Sequence, residues 1–132
     1  MKMRESIKMK KSKKVFIFDD NEELLELCTI ILEDIGCEIK TSVTSNNIEQ
    51  QVKDFSPDMI FMDNWLPDIS GIEATKILKA NKELQNIPVI YFSANNNISA
   101  LAKEAGADDF LAKPFDVAAF EKIVKKYAEA CD

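Results

Sequence analysis

Apolar and polar positions alternate between two rhythms along this chain. Val15-Phe16-Ile17-Phe18, Met59-Ile60-Phe61-Met62 and Val89-Ile90-Tyr91-Phe92 are unbroken apolar runs of four. They are short enough for strands, and too apolar for a sheet with one face in water. Glu38–Val43 alternates apolar with polar, as a strand nearer an edge does, and Phe110-Leu111 begins a short last strand. Between these runs the spacing turns helical. Glu22–Ile35 is predicted to bury Leu24, Leu27, Cys28, Ile31 and Ile35, with Gly36 as its stop. A short polar helix is expected over Asn47–Asp54, a third from Ser70 to about Ala80, and a fourth over Ile98–Ala105 closed by Gly106. Asp116 is placed to cap a fifth, whose apolar face is expected to carry Val117, Phe120, Ile123, Val124 and Tyr127. Five strands alternating with five helices predict an α/β fold around a parallel sheet. Right-handed crossovers would put helices on both of its faces.

A length of 132 residues, with 46% apolar and 30% charged side chains, bounds this to one globular domain. No apolar stretch approaches the roughly 20 residues that cross a bilayer, and no secretory signal core is visible. A cytoplasmic location without membrane insertion is expected. Cys28, Cys37 and Cys131 are odd in number and lack C-x-x-C spacing, which favours reduced thiols over a disulfide framework or a zinc site. Histidine is absent, so imidazole catalysis and imidazole metal sites are excluded. The net charge of −6 hides a split, because residues 1–14 hold seven Lys/Arg and one Glu. Residues 1–13 are expected to be a disordered basic tail ahead of a domain over 14–132. That acidic domain is not expected to bind DNA directly.

The polar residues that follow the buried strands carry the chemistry. The first strand runs into Asp19-Asp20, the third into Asp63, the fourth into Ser93, and Lys113 stands where the fifth ends. In an open parallel sheet these C-terminal ends share one edge, where ligands bind. Three crowded carboxylates repel one another unless a cation joins them. A hard divalent ion with oxygen ligands, Mg²⁺ or alternatively Mn²⁺, meets that need. A carboxylate beside such an ion is a competent nucleophile toward a phosphoryl group, with Lys113 and Ser93 available to share the charge on its oxygens. Each residue alone has a plainer reading: a helix cap for Asp19-Asp20, a turn for Asp63, a loop start for Ser93, surface for Lys113. Four strand ends supplying one complete set is what favours chemistry.

With these residues the chain resembles the receiver domain of two-component response regulators over about residues 14–130. The resemblance rests on Asp19-Asp20, the segment PDMIFMDNWLPDISGIE from Pro57 to Glu73, Phe92-Ser93-Ala94, and Lys113-Pro114. Pro67 and Gly71 lie four and eight residues after Asp63, and the intervals fit: 43 residues from Asp20 to Asp63, 30 on to Ser93, and 50 from Asp63 to Lys113. It implies a flavodoxin-like, doubly wound sheet of order 2-1-3-4-5. Asp63 is implied to be the phosphoacceptor, and Asp19, Asp20, Asp63 and the Trp65 backbone carbonyl the protein ligands of Mg²⁺. Lys113 and Ser93 are implied to contact the phosphoryl group, Ala94 to leave it room, and Phe110 to be the aromatic switch, without a tyrosine's hydroxyl. A histidine kinase or histidine-phosphotransfer protein would be the donor. The face of the fourth helix, fifth strand and fifth helix would take a downstream partner.

A stand-alone switch follows as the expectation, monomeric or weakly dimeric, with no room for an effector domain. It would be no enzyme beyond its own phosphorylation and slow dephosphorylation. The rival reading is a Mg²⁺-dependent phosphohydrolase with an aspartate nucleophile, but such enzymes place a second acid where Trp65 stands. The Trp65 indole is expected either to hinder attacking water or to dock a partner. Gly36, Gly71 and Gly106 form neither nucleotide-binding glycine motif.

Overall fold

The computed structural model describes residues 13–128. The expected basic tail, apart from Lys13, and Cys131 lie outside the described residues. The chain runs β1 (Lys14–Phe18), α1 (Glu22–Asp34), β2 (Glu38–Ser42), α2 (Ile48–Phe55), β3 (Met59–Asp63), α3 (Gly71–Ala80), β4 (Val89–Ser93), α4 (Ile98–Ala105), β5 (Asp109–Ala112), α5 (Val117–Ala128). All four strand pairings are parallel and the order is β2-β1-β3-β4-β5, as expected.

The apolar runs are buried on both sides because successive side chains leave a strand in opposite directions. Val15 and Ile17 of β1, with Met59 and Phe61 of β3 and Ile90 and Phe92 of β4, face a core completed by α1 and α5. Phe16, Phe18, Ile60 and Met62 face the opposite core, closed by α2 and α3. Burying one such side chain is worth about 1.5–3 kcal/mol, so the central strands are the stiffest part of the domain. The site hangs from their ends. Edge strand β2 is mostly exposed, with only Ile39 and Ser42 half-buried, in keeping with its alternating sequence.

Two expected faces are corrected. In α1 the buried residues are Leu25, Cys28, Ile31 and Leu32, while Leu27 is 48% exposed. The helix carries more apolar side chains than one stripe holds, and at 100° per residue the buried stripe is turned by roughly 50° from the predicted one. In α5, Val117 is 49% exposed; Phe120, Val124 and Ala128 are buried, with Ile123 and Tyr127 partly so. Val117 stands in the first turn, at the mouth of the sandwich. The predicted cap holds, as Asp116 Oδ1 accepts the Ala119 N–H at 2.7 Å.

Ser45 fixes the loop between β3 and α3. Its hydroxyl is 1% exposed and lies 2.8 Å from Pro67 O and 2.7 Å from Ile69 O, while accepting the Ile69 N–H at 2.9 Å. Ser45→Ala leaves those part-buried groups without their protein partner and should cost about 1 kcal/mol. The check is the urea midpoint, which should fall with the m-value unchanged.

Candidate functional site

Asp19, Asp20, Asp63, Ser93 and Lys113 are placed by the strand ends of β1, β3, β4 and β5. The β1 and β3 ends adjoin in register, as do those of β3 and β4, with Asp63 opposite Phe92 and Ser93 opposite Ala112. The Lys113 N–H donates to Ser93 O at 2.9 Å, so the chain leaving β5 stays beside β4. Lys113 Nζ then reaches across the sheet to Asp19 Oδ2 at 2.6 Å and Asp63 Oδ1 at 2.8 Å. It also lies 4.7 Å from the centre of the Phe92 ring. The Lys113–Pro114 peptide is cis.

One oxygen from each of Asp19, Asp20 and Asp63 lies within 4.8 Å of the others. Asp19 and Asp63 are buried and Asp20 is exposed, so the cluster is open on the Asp20 side. Three carboxylates against one ammonium leave an uncompensated double negative charge, and the donor set is all oxygen. That is the composition a small hard divalent cation fits. The second Asp63 oxygen, Oδ2, accepts the Trp65 N–H at 3.2 Å. Burial raises the Asp63 pKa above the ordinary carboxylate value and the charge of Asp19 adds to it, while Lys113 and the Trp65 N–H oppose the rise. Burial alone would lower the Lys113 pKa, but its hydrogen bonds to Asp19 and Asp63 outweigh that and hold it above the ordinary lysine value.

The other predicted residues fall around this centre. Ser93 is buried and its Oγ accepts the Asn95 N–H at 3.0 Å. Ala94 follows it, exposed at the start of the β4–α4 loop. Trp65 is 73% exposed, its indole turned to solvent. Phe110 is 38% exposed on β5, beside Tyr91 in register.

Three neighbours of the site escaped the sequence reading. The Cys28 thiol lies under it, its pKa pushed up to about 12 by burial and then by Asp19. Asn64 is buried directly after Asp63 and accepts a hydrogen bond from the Tyr91 hydroxyl. Burial, and then the Asp63 charge, push the Tyr91 phenol up to about 12, so it stays a donor. A tyrosine inside an otherwise apolar strand was the available signal, because a buried phenol calls for a partner.

Comparison with known proteins agrees with this fold. The response regulator receiver domain family matches residues 15–125. The polar-differentiation response regulator DivK of Brucella anthropi is 35% identical over 119 residues, covering 87% of this chain and 95% of the relative. The chemotaxis response regulator CheY4 of Vibrio cholerae superposes with a TM-score of 0.80 at 21% identity, over 88% of this chain and 98% of the other. The receiver domain of a sensor histidine kinase from Pseudomonas aeruginosa, solved with a magnesium ion coordinated in its active site cleft, gives 0.81 at 23% identity, over 89% and 98%. At these identities the two solved structures show a shared fold.

Proposed function

This chain belongs to the response regulator receiver family, and on that premise we propose that Asp63 accepts a phosphoryl group and thereby switches the conformation of the domain. The observation that carries the proposal is the shared ammonium: Lys113 Nζ bonds both Asp19 and Asp63, residues 94 and 50 positions away. A receiver needs a nucleophilic carboxylate, a second acid and a fixed cation at one point, and these side chains meet there.

The donor we propose is the phosphohistidine of a histidine kinase or histidine-phosphotransfer protein. An Asp63 oxygen attacks phosphorus, the O–P bond forms, the P–N bond breaks, and its electron pair stays on the leaving imidazole. Lys113 is already in place to meet the charge of the transferred oxygens, at little cost in reorganisation. Ser93 Oγ, one strand over, exchanges its Asn95 contact for a phosphoryl oxygen. Ala94 leaves that approach uncrowded. Asp19, Asp20, Asp63 and the Trp65 carbonyl would hold Mg²⁺, which when bound neutralises charge on the phosphoryl oxygens. The output is a population shift read on the face of α4, β5 and α5, where Phe110 is half-exposed, by a protein partner or through onward transfer.

Incubation with Mg²⁺ and acetyl phosphate tests the reading. One phosphoryl group per chain is expected, mapped by peptide mass to Asp63 and accompanied by a change in Trp65 emission. No label, or label on another residue, overturns it.

A further inference from the structure

Tyr91 is 0% exposed in the middle of β4, and the buried residues of α4, namely Ile98, Ala102 and Ala105, form one core cluster with it. The ring of Tyr91 is thus the floor on which α4 rests. Its other end leaves that apolar cluster. The hydroxyl donates to the side-chain oxygen of Asn64, itself only 8% exposed and the residue next to Asp63. A single side chain therefore spans from beneath α4 to the backbone that carries Asp63. In register, Tyr91 lies between Met62 of β3 and Phe110 of β5. The hydroxyl that Phe110 lacks is present one strand inward, aimed at the site.

Two buried polar groups that satisfy each other add little net stability over an apolar pair of the same shape. What such a pair supplies is a defined position for the elements it joins. The arrangement it belongs to is that of the free carboxylate. Both Asp63 oxygens are engaged, Oδ1 by Lys113 and Oδ2 by the Trp65 N–H. Ser93 Oγ is held by the Asn95 N–H, and the Phe110 ring stands outward.

Taking Asp63 as the phosphoacceptor, we propose that the Tyr91–Asn64 hydrogen bond is a latch that holds α4 in the arrangement of the free carboxylate, and that phosphorylation reaches α4 by releasing it. When a phosphoryl group draws Ser93 and the end of β4 toward Asp63, Tyr91 on the same strand shifts against Asn64, and α4 moves with its floor.

Tyr91→Phe keeps the ring under α4 and removes only the donor. A bond made in one arrangement and broken in the other tips their ratio when deleted, by about fivefold for one neutral hydrogen bond. By reciprocity the affinity for a phosphoryl mimic rises by the same factor. The experiment is a beryllofluoride titration in Mg²⁺ read by Trp65 fluorescence, on wild type, Tyr91→Phe, Asn64→Ala and the double variant. The expected result is about fivefold tighter binding in each single variant and no further gain in the double, since both remove one bond. Amide exchange of residues 98–105 without beryllofluoride should also rise in Tyr91→Phe toward the level of the loaded wild type. A responding wild type with Tyr91→Phe binding equally or more weakly, or gains that add in the double variant, overturns the latch alone. A wild type that fails to respond overturns the reading of Asp63 and the latch with it.

Discussion

With Asp63 as the proposed phosphoacceptor, Asp63→Asn is expected to take no phosphoryl group from acetyl phosphate and, in magnesium-free buffer, to unfold at a higher temperature than the wild type. The two effects run in opposite directions because one carboxylate is asked to do two incompatible things. As a nucleophile it must be ionised, and an amide oxygen cannot replace it, so labelling should fall to background. As a buried group beside Asp19 it is uncomfortable when ionised: burial and then the Asp19 charge hold its pKa above the ordinary value. For a carboxylate whose folded pKa is raised, the unfolded chain gives up its proton first. Stability is then lost as pH climbs from the unfolded pKa through the folded one, and stays lost above. Wherever Asp63 is ionised in the folded chain the wild type carries that deficit, and the neutral asparagine carries none of it at any pH.

A bound divalent cation should narrow that difference. Ligand at ten times its Kd stabilises by about 1.4 kcal/mol, which moves the midpoint of a domain this size by about 3–6 °C. Wild type should gain that increment on adding Mg²⁺, and Asp63→Asn, short of one carboxylate, should gain less. Thermal scans of both proteins with EDTA and with Mg²⁺ give the four numbers required. A variant less stable than wild type in EDTA would mean that the Lys113 bond outweighs burial, and that the site is not held under electrostatic tension.

The sheet and the site could be read from the chain for the same reason. In a doubly covered parallel sheet each strand must be apolar on both sides, so its end is marked where the first polar residue appears, and the candidate site residues stand at those marks. Asp63 closes the run Met59–Met62, and Ser93 closes Val89–Phe92. Local pattern therefore located both the frame and its working edge. It failed where one rhythm had two solutions. Helix α1 offers Leu24, Leu25, Leu27, Cys28, Ile30, Ile31 and Leu32, apolar over more than half its circumference. Only packing against β1 and α5 decides that Leu25 and Leu32 go in and Leu27 stays out. It failed also where two side chains answer each other at a distance. Nothing near Asn64 announces Tyr91, 27 residues on, and nothing near Ser45 announces the carbonyl groups of Pro67 and Ile69.

Gly71→Ala should be among the most damaging single substitutions in this domain, costing more than about 4 kcal/mol. The reason is steric. A Cβ on Gly71 would stand 1.9 Å from the carbonyl oxygen of Asp63, 2.9 Å from its carbonyl carbon and 3.1 Å from Asn64 Cα. All three are backbone atoms of the segment Asp63-Asn64, so no side-chain rotation relieves the clash. Nor can α3 lift without loss, because the Gly71 N–H donates to Asn64 O at 3.0 Å. Elsewhere in a helix alanine would be favoured over glycine by roughly 1 kcal/mol, which the clash overwhelms here. Gly36→Ala is the matched control. Gly36 has φ of +89° with nothing within 4 Å of its added Cβ, so it should lose only the left-handed penalty of about 1–2 kcal/mol. Urea denaturation of both variants separates the two causes, and acetyl phosphate labelling of whatever Gly71→Ala folds should be lost, since the atoms displaced carry Asp63. A Gly71→Ala protein as stable as Gly36→Ala and still labelled would show that α3 can slide over the end of β3, and that close contact between them does not hold the proposed phosphoacceptor in place.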